Sequence, residues 1–228
     1  MDWQRLDRKA TEDLINKAGS ASVLFSPQTS EARRASLSFL DNFALYRLTN
    51  YAALPIISLD YLVNENSTDN NSVFYLDGSK NSILQAIRND NFSITEENIV
   101  SYVSFFFKNA PDPEGDIYII EDLDDLVFFD LLESGQQDKL RNNFTAPEIK
   151  RLDDGRFEVK ACMVYQGSLV TGLTSVLGDG NVNVSSISMS PMLLLLLSLL
   201  SSLTSRPRRQ GSLFKTRKGT PNLCGTKL

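Results

Sequence analysis

Six acids fall close together at Glu121, Asp122, Asp124, Asp125, Asp130 and Glu133. Carboxylates at this density can hold a hard cation such as Mg²⁺ or Ca²⁺ when they converge on one point. The spacing is not that of an EF-hand loop, because the Asp-x-Asp-x-Asp-Gly run with its terminal Glu is missing. The acids alternate with Leu123, Leu126, Val127, Phe128 and Phe129, which predicts an amphipathic segment with a solvated acidic side. No metal site is expected from them. Glu121, Asp122, Asp124 and Asp125 are instead candidates for an acidic contact surface.

Other chemistries are poorly supplied. The chain has no histidine, which removes the commonest general base and the commonest metal ligand. Its two cysteines, Cys162 and Cys224, cannot form a four-thiolate zinc site, and no histidine is present to activate either as a nucleophile. Gln166-Gly167-Ser168-Leu169-Val170 lacks the second glycine of a serine-nucleophile elbow. Gly178-Asp179-Gly180 reads as a hairpin turn, since no Gly-Lys-Ser/Thr follows to make a phosphate loop. Paired carboxylates could act as acid and base on a glycoside, but only their separation in space would decide that. No cofactor and no catalytic residue are predicted. The aromatic-rich stretches offer a different candidate, an apolar pocket lined by Tyr102, Phe106, Met163 and Tyr165 between a sheet and its covering helices.

The elements that would position these residues follow from periodicity. Trp3, Leu6, Ala10, Leu14 and Ala18 recur at steps of three and four, predicting a helix over Asp2–Ala18 that stops at Gly19. Leu40, Phe43, Ala44 and Arg47 predict a second helix over Glu31–Asn50. The apolar run at Leu54–Leu62 fits either a strand or a short helix, and Asn64–Ser72 reads as a loop. Val73–Leu76 is a predicted strand, and Ser79 is placed to cap a helix through Arg88. Thr95, with Glu96 and Glu97 at one end and Lys108 at the other, predicts a helix over Glu96–Asn109 that Pro111 forbids from continuing. A strand over Asp116–Glu121 leads to a turn and a short helix through Glu133. From Phe157 the period changes to two, and the turns at Gln166-Gly167 and Gly178–Asn181 divide the rest into a three-strand meander. The expected fold is α+β, a helix-rich N-terminal half packed on a C-terminal antiparallel meander.

Charge sets the organisation and excludes partners. All 28 acids and 16 of the 23 cations lie within residues 1–188, which therefore carry −12, while 189–228 carry +7. The division predicts one acidic domain over 1–188, with 1–30 as an N-terminal helix and linker appendage, and a basic, disordered tail with a short Leu-rich run over 189–228. Nucleic acid and anionic lipid are excluded as partners of so acidic a body. Met192–Leu203 is rich in leucine but falls short of the roughly 20 apolar residues that span a bilayer, and Arg206, Arg208 and Arg209 follow it. The first residues, Met1-Asp2-Trp3-Gln4-Arg5, carry no apolar run, so the expected compartment is the cytoplasm. The expected function is a non-catalytic interaction or regulatory module that presents its acidic surface to a protein partner. Two alternatives stand beside it. One is a small-molecule-binding pocket protein, with a carboxylate-dependent enzyme included. The other is a peripheral membrane protein held by its Leu-rich basic tail, a role the acidic body disfavours. An edge strand of the meander would also allow pairing with a second copy.

Overall fold

Asp7 opens the first helix. Its side chain accepts a hydrogen bond from the Ala10 amide at 2.8 Å, and α1 then runs over Arg8–Ala18 until Gly19, at φ 55°, ends it. The residues before the cap are extended: Gln4–Arg5 is a short strand, β1, so the helix starts later than its apolar spacing predicts. The computed structural model that shows this describes residues 1–67, 72–112, 115–126, 129–165 and 168–189.

The largest departure from expectation lies in residues 31–50. No helix forms there. Ser30–Ser36 and Phe43–Asn50 are strands β2 and β3, antiparallel with Ser30 opposite Asn50 and Ser36 opposite Ala44. Phe43, Ala44 and Leu45 are buried in succession, so both faces of β3 are covered. A strand buried on both sides loses the alternation that would mark it, and its apolar residues then fall at helical steps by chance. The turn between β2 and β3 is held from outside. The Asp90 carboxylate accepts from the backbone amides of Asn42 (3.0 and 3.1 Å) and Phe43 (3.2 Å), and from the Asn42 side-chain amide (2.6 Å). Ile57–Asn64 (β4) and Val73–Tyr75 (β5) complete a sheet whose spatial order is the chain order, β1 to β5.

Helices α2 (Lys80–Arg88) and α3 (Ile99–Asn109) follow. α3 begins at Ile99, after Glu96 and Glu97, and Asn98 takes the capping position predicted for Thr95. The Asn98 side chain accepts from the Thr95 amide at 2.8 Å and donates to the Ser38 and Ser93 carbonyls at 3.0 Å each. The second sheet has the order β10-β9-β8-β6, with β7 beside the other half of β8. Its strands are Ile117–Ile119 (β6), Glu148–Arg151 (β7), Phe157–Tyr165 (β8), Ser168–Val176 (β9) and Val182–Met189 (β10). The meander of the last three is as expected, while its Gln166-Gly167 turn, residues 68–71 of the Asn64–Ser72 loop and the basic tail lie outside the described residues. Helix α4 (Ser134–Asn143) and β7 carry no apolar period and are absent from the sequence reading. The expected helix-rich N-terminal half is therefore overturned. Among the described residues the chain forms ten strands in two antiparallel sheets and four α-helices, with strands throughout the N-terminal half.

One core joins the sheets. Leu45 and Leu62 from the first sheet meet Ile83 and Ile87 of α2, Tyr102 and Phe106 of α3, and Val159 and Met163 of the second sheet. On the far face of the first sheet, α1 lays Leu14 and Ala18 over Leu48 and Tyr61. On the far face of the second sheet, Ile120, Leu126, Phe129 and Leu140 cover Cys162 and Leu169. Among the described residues no helix is long and apolar enough to cross a membrane.

Candidate docking groove at a sheet edge

β6 is an edge strand of the second sheet, paired on one side with the C-terminal half of β8 through Ile117–Tyr165, Tyr118–Val164 and Ile119–Met163. The Ile120 amide donates to the Cys162 carbonyl at 2.9 Å. Hydrogen-bonded pairs alternate in an antiparallel ladder, so Tyr118 faces β8 with its backbone groups while those of Ile117 and Ile119 point to the open side. Among the described residues no hydrogen bond joins that side to another strand. It borders a groove of about 560 Å³. Ser104 and Lys108 of α3, with Glu121, Asp125 and Leu126, surround a floor of Ile117 to Ile120 and Val164. The floor is apolar because β6 turns Ile117 and Ile119 toward the shared core and Ile120 toward the second-sheet cluster. Tyr118 stands out of it, 51% exposed, and its hydroxyl donates to Asp116 at 3.1 Å, which raises the phenol above its ordinary pKa.

The acids of the rim are not equivalent. Asp125 accepts from the Glu121 and Asp122 amides at 3.0 Å each, and Asp122 accepts from the Asp124 amide at 3.1 Å, so both carboxylates cap the 3-10 turn at Leu123–Asp125. Glu121 accepts from the Ser104 hydroxyl at 3.0 Å and makes no ion pair among the described residues. Of the two carboxylates that line the groove, Glu121 is the one that does not cap the turn. Asp124 sits on the same turn, exposed. No described group of three or more acids or cysteines is placed to hold a metal ion.

The four residues read from the sequence as pocket lining are divided. Tyr102 and Met163 are wholly buried in the core. The Tyr102 hydroxyl donates to the Gly180 carbonyl, and burial, with the Asp179 carboxylate nearby, pushes the phenol far up. Phe106 and Tyr165 do come together, in an open cleft of about 720 Å³ between the end of α3 and β10, with Lys80 and Asp112 on its lip. Sequence reasoning missed the groove's backbone edge and Lys108 and Val164 beside it. The signal that could have found them was the shortness of the predicted strand at 116–121, with no partner segment next to it in the chain. Comparison with protein-family models, with curated proteins and with solved structures finds no match to this chain.

Proposed function

We propose that the protein is a non-catalytic docking module whose working surface is the open edge of β6. The occupant is an extended segment of a partner protein in which apolar residues alternate with cations. The single observation that carries the reading is the meeting, in one groove, of an unpaired strand edge, an apolar floor and the Glu121 carboxylate. A strand added to such an edge gains main-chain hydrogen bonds, and alternate side chains enter the groove or face out. The charge supports the sign of the partner. Residues 1–188 carry −12, so the field of the whole body draws a basic segment toward the rim. The larger cleft supports a ligand less well, because two of its four expected lining residues are withdrawn into the core.

The test compares fluorescently labelled ten-residue peptides in which valine alternates with lysine or with glutamate. Anisotropy titration is expected to show binding of the lysine series, weakened by salt, and none of the glutamate series. Glu121→Lys is expected to weaken the lysine peptide by about tenfold, in line with a fall of about 1.4 kcal/mol. Equal binding of both series, or of neither, overturns the reading.

A further inference from the structure

Five of the nine large apolar residues exposed on the described surface stand together at one end of the first sheet: Val23, Leu24, Tyr51, Leu54 and Ile56. They belong to two loops, one between α1 and β2 and one joining β3 to β4. The loops are tied to each other. The Asn50 side chain donates to the Leu24 carbonyl at 2.7 Å, and the Tyr51 amide donates to the Thr29 carbonyl at 3.1 Å. Phe25, buried beneath α1, anchors the first loop. The tip is thus built and held rather than merely left bare.

The same loops are empty of charge. No Asp, Glu, Lys or Arg occurs between Lys17 and Glu31, or between Arg47 and Asp60, in a chain of which 22% is charged. Exposed apolar groups scattered singly mean nothing, but a patch of them marks an interaction site. Its shape and neutrality select the occupant. Leu54 is 96% exposed and Val23 82%, so these side chains stand clear of their neighbours and the tip is convex. A protein partner would need a cavity matched to that point, whereas a lipid surface closes around any shape. Neither loop carries a charge to desolvate, the Arg33 guanidinium near the Tyr51 hydroxyl belonging to β2. The tip can enter the boundary between headgroups and acyl chains, a depth that suits the polar end and apolar body of Tyr51. The acidic body repels anionic headgroups, which leaves uncharged ones.

We infer that this tip inserts into the interface of a zwitterionic lipid surface. It is separate from the β6 groove and does not depend on it.

The experiment is flotation of the full chain with phosphatidylcholine vesicles, and with vesicles containing phosphatidylserine. Binding to phosphatidylcholine is expected and insensitive to salt, and phosphatidylserine, which the +7 tail can also reach, is expected to add only a salt-sensitive part. The double variants Leu54→Asp with Ile56→Asp, and Val23→Asp with Leu24→Asp, are each expected to lower partitioning about tenfold or more. They should leave the melting temperature unchanged, since the altered side chains are exposed. A variant with Leu193, Leu195 and Leu197 changed to serine controls for the Leu-rich run and is expected to bind as the parent does. Tyr51→Trp in a Trp3→Phe background is expected to shift its emission to the blue on adding vesicles. Three results would overturn the inference: no binding, binding lost only in the serine variant, or a self-association seen by sedimentation that the tip variants abolish, which would give the tip to a second copy.

Discussion

The first sheet is covered on both faces along much of its length, by α1 on one side and by the shared core on the other. The second sheet shares that core but has a mixed far face. Cys162 and Leu169 lie under Ile120, Leu126, Phe129 and Leu140 at one end, while Lys160 faces water and Glu158 is half-buried at the other. Each sheet therefore exposes something different. The first has only the short strands β1 and β5 at its edges, and one of its loop ends is the neutral apolar tip. The second leaves open an edge at β6, in a groove with acids on its rim. Where a sheet is fully covered, new contacts must come from loops; where it is half covered and unclosed, the backbone itself is on offer.

The strongest way to break this comparison acts where the second sheet meets the helices shared by both. Gly180, in the turn between β9 and β10, has φ 84°, and a Cβ there would stand 2.5 Å from Ile87 Cδ1 and 3.0 Å from the Tyr102 hydroxyl. Gly180→Val adds backbone strain to overpacking and is expected to cost about 3 kcal/mol in chemical denaturation. An unchanged midpoint would mean that the two sheets are not joined through this turn.

A smaller loss is expected from the first sheet alone. Asp90→Ala removes the acceptor of the Asn42 and Phe43 amides and of the Asn42 side chain. Loss of charge-assisted hydrogen bonds at a part-buried turn should cost about 2 kcal/mol. Hydrogen exchange should quicken at Asn42 and Phe43 and along β2 and β3, and stay as it was in β8 and β9. Equal quickening in both sheets would remove the distinction between them.

The same contrast explains what could be read without coordinates. β8 shows its alternation plainly, because Phe157, Val159, Ala161 and Met163 turn inward while Lys160 stays wet and Glu158 half-buried. The two-residue period of the meander was therefore legible. In β3 the far side is filled by Leu48, with Tyr46 beside it, in one cluster with Leu14 and Ala18 of α1, a helix some thirty residues earlier. No local pattern records that cover, and the hairpin reads as a helix. Helix α4 fails in the opposite way. Its sequence, Ser134 to Asn143, holds one apolar residue, Leu140, and that residue is wholly buried. The rest of its hold is polar, a capping box between Glu133 and Gln136 and the Gln137 side-chain amide donating to the Phe129 and Leu132 carbonyls, and one apolar residue has no period. For the groove, the acids were visible at once, but which of them cap the turn (Asp122 and Asp125) and which does not (Glu121) depends on backbone amides that only folding brings near. The two stretches of the tip lack charge, yet nothing in the chain says that they lie side by side.

The smallest effect concerns charge on the first sheet. Arg34 grips Glu65 with two hydrogen bonds of 2.6 and 2.7 Å, and the Tyr46 hydroxyl donates to the same carboxylate at 2.6 Å. The hydrogen bonds from Arg34, outweighing burial, hold the Glu65 carboxyl below its ordinary range. Folding therefore favours the ionised form. The resulting stability is fully present above the free carboxylate value of about 4.3 and is lost as pH falls through the lower folded value. The Glu65 side chain is 36% exposed, so solvent screening limits the gain to less than about 1 kcal/mol. Melting of the parent and of Glu65→Gln, followed from pH 6 down to pH 2.5, should show a small gap at the upper end that closes in the acid. The second sheet offers a control, since its turn acid Asp154 is also held low, by the backbone amide and then the side chain of Arg156, but lies in water. Asp154→Asn should leave the acid limb where the parent has it. Parallel profiles for the parent and Glu65→Gln would show that the Arg34 grip adds nothing to the fold, and that the covered sheet is held by its apolar faces alone.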